Sequence, residues 1–297
     1  MNFLLALWIA LLAWVAPFVW GMPVALGAPK LEGKSALKNP IVLLHGATEK
    51  GSRLKIGPFD FGEYFFEIDE YLGATGTPVY VAEVSTNGSI GERAAVLKNF
   101  LDTELKGKKV NIIAHSLGGL DARFCASILK CDSILSITSI GTPHLGSPAA
   151  DWTIRQLQTK SIWYWFFRLV GYNIADRRFL AEITTEHMQK RFNPKVLDRS
   201  DIQYFSVVSE ASFDDGTMSY VMWFTKHWME GENHPLNREG NDGLVPLLSQ
   251  YWGKTIGKYH MDHMAQMNHQ SFRSKDLTPL SLEMYSKIYD TLWEAGL

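Results

Sequence analysis

The stretch Ala114-His115-Ser116-Leu117-Gly118-Gly119 restricts what this chain can fold into more than any other. Before it, Val110 to Ala114 is an apolar run with the length of a buried strand. After it, apolar residues at Leu120, Phe124, Ile128 and Leu129 predict a helix from Leu120 to Lys130. A strand, a sharp turn with serine at its tip and then a helix form the layout of a nucleophile elbow. Such a turn strains the serine backbone, so its neighbours must be small. Ala114 stands two residues before Ser116 and Gly118 two after, with alanine where the usual pattern has glycine.

The flanking chain repeats the alternation. Pro40 to Gly46 reads as a buried strand ending in a glycine turn, Phe59 to Leu72 as an aromatic-rich helix, and Pro78 to Val84 as a strand. Gly91 to Leu105 has helical spacing at Ala94, Leu97, Leu101 and Leu105, and Ile134 to Ile140 and Gln203 to Ser209 read as further strands. Asp214 to Gly243 is rich in turn residues and reads as loops, and Pro279 to Ala295 as a closing helix. Strands alternating with helices predict an α/β fold, a mostly parallel central sheet flanked by helices. In such a sheet, sites form at the carboxyl ends of the strands, where His45-Gly46, Ser116 and Gly141-Thr142-Pro143 all fall. With 297 residues, 46% of them hydrophobic, the chain is long enough for one large domain with an insertion. A formal net charge of −2 and the lack of a long basic run argue against a nucleic-acid partner.

Residues 1–27 hold no charged side chain and resemble a secretory signal, with Ala25 and Gly27 placed for cleavage. The missing Lys or Arg at its start and the length of its apolar run keep an uncleaved membrane anchor as the alternative. The domain is then expected over 28–297, in a secreted or periplasmic protein or one anchored through this stretch. Cys125 and Cys131 suit an oxidising compartment, either as a small disulfide loop or as two buried thiols. An insertion over about 151–178 carries Trp163, Trp165, Phe166 and Phe167 beside a strand end. It reads as a helical lid with an apolar inner face, or else as a core helix.

A serine hydroxyl becomes a nucleophile when a base takes its proton and a buried acid orients that base. In elbow hydrolases the order along the chain is serine, acid, histidine. That order leaves Asp242, in the tight turn Asn241-Asp242-Gly243-Leu244-Val245-Pro246, and one of His260, His263 and His269.

The motifs Ile41-Val42-Leu43-Leu44-His45-Gly46, Ile112-Ile113-Ala114-His115-Ser116, Ile140-Gly141-Thr142-Pro143-His144-Leu145-Gly146 and Asn241-Asp242-Gly243-Leu244-Val245 occur in one order. Together they resemble the secreted bacterial triacylglycerol lipases of Pseudomonas and Burkholderia, over roughly Asn39 to Gln270. The resemblance implies an α/β-hydrolase fold with a helical lid and an exported serine lipase acting on acylglycerols at a lipid–water interface. Its catalytic residues fall on Ser116, Asp242 and His260. The histidine is chosen because the family's Asn-His-Leu-Asp stretch matches Tyr259-His260-Met261-Asp262. The oxyanion donors fall on the backbone N–H groups of Ala47 and Leu117. A structural Ca²⁺ is implied, held by Asp262, the carbonyls of Gln266 and Gln270, and Asp215, with Asp214 as its competitor. Some relatives need a dedicated folding helper as partner. The alternatives are an esterase or phospholipase on shorter or charged esters, and, in another class, an inactive hydrolase-fold binding protein. The last needs a missing triad member, and none is missing.

Overall fold

A computed structural model describes residues 31, 33–48, 53–56, 59–161, 178–231, 233–270, 273 and 275–297. The expected signal or anchor over 1–27 and the lid aromatics Trp163, Trp165, Phe166 and Phe167 lie outside the described residues. Among the described residues no helix is long and apolar enough to cross a membrane.

The central sheet has six strands: β1 (Ile41–Leu44), β4 (Val79–Ala82), β5 (Val110–His115), β6 (Ile134–Ile140), β7 (Gln203–Glu210) and β8 (Lys254–His260). Their order is β4-β1-β5-β6-β7-β8, and every pairing is parallel. The α/β architecture expected from the alternation is what the chain adopts. A separate antiparallel pair joins β2 (Arg53–Ile56) to β3 (Phe59–Glu63). The helix expected from Phe59 therefore begins later, as α1 (Ile68–Gly73), because the first part of that aromatic run is extended.

Successive side chains of a strand point to opposite faces, and the central strands bury both. On one face Val42, Leu44, Ile112, Ala114 and Ile137 meet Ala94, Leu97 and Leu101 of α2 (Ile90–Thr103) and Ala122, Cys125 and Ala126 of α3 (Gly118–Ser127). On the other, Ile41, Leu43, Ile113, Ile140 and Val207 meet Ile68 and Leu72 of α1 and Tyr285, Ile288, Tyr289 and Leu292 of the closing helix Thr278–Glu294. Helix α2 starts at a capping box in which the Ser89 side chain accepts from the Glu92 N–H and Glu92 accepts from the Ser89 N–H. Past the end of α3 the chain turns at Lys130 (φ 55°), and Cys131 comes back to form a disulfide with Cys125. That resolves the two cysteine readings in favour of the small loop.

Two elements were not anticipated. The segment read as loops contains a helix, Tyr220–Gly231, and the last strand of the sheet, β8, ends on the expected histidine, His260. The start of the expected insertion, from Asp151, lies within α4 (Pro148–Thr159), which packs against the helix Tyr220–Gly231.

Candidate active site

Because every strand of the sheet is parallel, the segments after β1, β5, β6, β7 and β8 leave at one edge. Ser116 follows β5 directly, at φ 56°, a left-handed conformation that costs a non-glycine residue energy. The neighbouring strand holds it there: its N–H donates to the Ile140 carbonyl (2.8 Å), and its carbonyl accepts from Thr142 Oγ1 (2.7 Å). The small residue at 118 is required by packing. A Cβ there would stand 2.6 Å from the Leu44 carbonyl oxygen, so the helix could not start so close to the sheet.

Asp242 is fully buried in its turn. Its Oδ1 accepts from the N–H groups of Leu244 (3.0 Å) and Val245 (2.8 Å), leaving Oδ2 aimed at the site. There Oδ2 meets His263 Nδ1 at 2.7 Å and Gln266 Nε2 at 2.9 Å. The backbone confirms the pairing, since the His263 N–H donates to the Asp242 carbonyl (2.8 Å). The His263 ring lies 4.4 Å from that of His115, the residue joined to Ser116. Gly141, at φ +57°, is the space into which this cluster fits: a Cβ there would come within 2.2 Å of Gln266 Oε1 and 3.1 Å of Asp242 Oδ2.

The expected partner of Asp242, His260, is elsewhere. It is the last residue of β8, in register with Glu210, and 43% of its side chain is exposed. Its Nδ1 lies 3.1 Å from Glu210 Oε1 and its Nε2 2.5 Å from Asp215 Oδ2. Partial burial pushes its pKa down, but the Asp215 hydrogen bond and the Glu210 charge outweigh this and raise it. The choice of His260 is therefore corrected. The strand ends at 260 with that side chain held by two carboxylates, and the chain has three residues further to run before it reaches Asp242.

Behind Asp242 lies a directional chain of buried hydrogen bonds. Gln266 Nε2 donates to Asp242 and to Ser209 Oγ, so its Oε1 is the acceptor that faces His115 Nε2 (2.9 Å). His115 then carries its proton on Nε2, and its Nδ1 accepts from the Tyr64 hydroxyl (2.8 Å). Burial, and next the charge of His263, hold His115 neutral, well below the usual histidine range.

The two expected oxyanion donors flank this centre. Leu117 follows Ser116 at the start of α3, and Ala47 follows Gly46, which packs so closely on the elbow that a Cβ there would lie 2.6 Å from that of Ser116. Arg93 holds the loop of Ala47 from below. Its Nη2 donates to the carbonyls of His45 (3.0 Å) and Gly46 (3.2 Å), Nη1 to that of Ser85 (2.6 Å), and Nε to Asp121 (2.8 Å). Both members of the Arg93–Asp121 pair are fully buried. The sequence reading missed Arg93. The available signal was an arginine on the apolar stripe of α2, one and two turns before Leu97 and Leu101. His45 is lowered to about 4, first by burial and then by Arg93, and as a neutral ring its Nε2 accepts from the Val84 N–H (3.0 Å).

Three of the expected calcium ligands, Asp215, Asp262 and the Gln266 carbonyl, already accept hydrogen bonds from protein groups. Asp215 accepts from Thr217 and faces His260, which together outweigh partial desolvation and hold its carboxyl at about 2. Asp262 is fully buried, and both its oxygens accept hydrogen bonds from the protein. The Gln266 carbonyl accepts from the Tyr285 hydroxyl (3.0 Å). Among the described residues no three His, Cys, Asp or Glu side chains are grouped to hold a metal ion. This donor set does not fit the ion.

A strained serine between strand and helix at the carboxyl edge of a parallel sheet, beside a buried Asp–His pair, defines the α/β-hydrolase class. Residues 93–218 match the family model of the PGAP1-like alpha/beta domain. The triacylglycerol lipase of Vibrio cholerae is 28% identical over 90% of this chain and 91% of its own, and that of Pseudomonas fragi 33% identical over 87% and 97%. The crystal structure of Staphylococcus hyicus lipase shares the fold, with a TM-score of 0.63 at 20% identity over 90% of this chain and 98% of that one. The chain belongs to the triacylglycerol lipase family of the α/β-hydrolase superfamily, and it is a serine ester hydrolase.

Proposed function

We propose that the protein is an exported lipase that hydrolyses acylglycerol esters through Ser116, His263 and Asp242. The observation that carries this reading is the 2.7 Å pair of Asp242 with His263, next to a serine held at φ 56°. With Nδ1 engaged by Asp242, the Nε2 of His263 is the nitrogen left to take the Ser116 proton. Ser116 Oγ attacks the ester carbonyl carbon, and the negative charge that builds on the carbonyl oxygen is met by the N–H groups of Leu117 and Ala47. A donor of this kind contributes about 3 kcal/mol in the transition state. His263 then gives its proton to the departing alcohol, leaving an acyl group on Ser116. Water, deprotonated by His263, attacks that acyl group and releases the fatty acid. Asp242 holds the imidazole in one tautomer.

The acylglycerol substrate is supported by the names of the Vibrio and Pseudomonas relatives and by the aromatic run Trp163 to Phe167 in the sequence. Export is supported by the uncharged apolar start of the chain and by the Cys125–Cys131 disulfide, which suits an oxidising compartment. The test uses the full chain and a chromogenic alkylphosphonate ester. One equivalent of leaving group is expected from the native protein and none from Ser116→Ala, together with turnover of emulsified long-chain triglyceride. Labelling that persists in Ser116→Ala contradicts the nucleophile. Turnover confined to soluble short esters replaces the lipase with an esterase.

A further inference from the structure

If His263 stands where the family's histidine does, the Asn-His-Leu-Asp pattern falls on Asp262-His263-Met264-Ala265. The carboxylate two residues after the histidine is then an alanine, whose side chain cannot ligate a cation. Asp262 sits on the other side of His263, and both its oxygens are taken up by donors of the protein. Oδ2 accepts from the Ser219 N–H (2.7 Å), and Oδ1 from the N–H groups of Met264 (3.1 Å) and Ala265 (2.9 Å). The remaining position on Oδ1 is taken by Arg273 Nη2 at 2.8 Å, with 1% of the arginine side chain exposed.

The same guanidinium meets two backbone carbonyls. Nη2 also donates to His269 (2.9 Å), and Nη1 points at Thr217 (3.4 Å). One carboxylate and two carbonyl oxygens, from the segment before the helix Tyr220–Gly231 and from the loop after β8, thus converge on a single positive charge. This is the kind of oxygen set that a hard cation such as Ca²⁺ collects, here arranged around a side chain. A carboxylate buried as fully as Asp262 needs such a charge beside it.

We infer that Arg273 is the resident cation of this chain: it takes the place of a structural calcium ion and, through Asp262, positions the loop that aims His263 at Asp242. Arg273 is a positioning residue and touches no reacting atom. Its effect on turnover rests on the proposed role of His263, whereas its effect on stability and calcium independence does not.

The experiment compares the metal-stripped full chain with and without millimolar Ca²⁺, by thermal unfolding and by phosphonate labelling rate. No change in either is expected. A midpoint that falls on chelation and recovers with Ca²⁺ overturns the inference. In parallel, Arg273→Gln should lower the midpoint by about 10 °C and slow labelling by about tenfold or more, with Arg273→Lys recovering part of both. Loss of a buried charge partner has effects of this order. Arg273→Gln with native midpoint and rate overturns it, and so does Arg273→Lys no better than Arg273→Gln in both readouts. Should Arg273→Gln fail to fold, the calcium comparison on the native chain still decides. If the native chain is never labelled yet the stability results hold, the catalytic reading fails and the role of Arg273 as resident cation stands.

Discussion

His260 and His263 are three positions apart, yet one is a half-exposed strand end between two carboxylates and the other is 5% exposed against Asp242. Identity at a position does less here than the element that carries it. The same holds for Arg93, a surface-type residue that the helix α2 turns inward under the loop of His45 and Gly46. Its removal should be costly, because Asp121 would be left buried without a counter-charge. Arg93→Met is expected to lose roughly 3–5 kcal/mol of stability and to lower kcat by loosening the carbonyls of His45 and Gly46. The double variant Arg93→Met/Asp121→Leu should regain stability without regaining kcat. Urea unfolding alongside ester hydrolysis separates the two effects. An Arg93→Met protein within about 1 kcal/mol of native would show that the pair is not what holds that loop.

At the scale of elements, α3 connects chemistry to stability, since it starts at the elbow and ends at the disulfide. The loop closed between Cys125 and Cys131 spans a sequence separation of 6. Chain-entropy arguments give so small a loop about 2 kcal/mol. Cys125→Ala/Cys131→Ala should therefore unfold at lower urea while keeping its hydrolysis rate, and unchanged urea unfolding would contradict the estimate. The elements legible from the chain were those with the most uniform burial. Strands β1 and β5 are apolar runs buried on both faces, and α2 repeats its apolar residues at helical spacing. Strand β8 escaped notice because it is an edge, where Lys254, Thr255, Gly257 and Lys258 interrupt any alternation. The helix Tyr220–Gly231 was hidden by five consecutive apolar or aromatic residues, Tyr220 to Phe224, that obscure its period. The histidine was mistaken for a related reason. Asp262 follows His260 by two residues and so mimics the family motif, whereas the fold pairs Asp262 with Arg273 and Asp242 with His263.

The whole molecule buries several neutral imidazoles around its site, and this sets its response to acid. Burial lowers His45 and His269 to about 4, and His115 and His144 well below the ordinary value of 6.5. Because the folded values lie below the unfolded one, these groups cost nothing above pH 6.5. As pH falls below it, the unfolded chain takes up protons that the native state refuses. Stability should then drop by up to about 1.4 kcal/mol per pH unit for each histidine, continuing to about pH 4 for His45 and His269. Urea midpoints at pH 7 and pH 5 check this, and equal midpoints would contradict the neutral, buried state of these rings. The central claim concerns how the sheet assembles its site: β5 delivers Ser116, the turn after β7 delivers Asp242, and the loop after β8, not the strand itself, delivers the base. The most direct measurement is ester hydrolysis by His263→Ala and His260→Ala, each shown folded by circular dichroism. The account predicts a loss of about four orders of magnitude or more for His263→Ala and retention of most activity by His260→Ala. An active His263→Ala beside an inactive His260→Ala would contradict it.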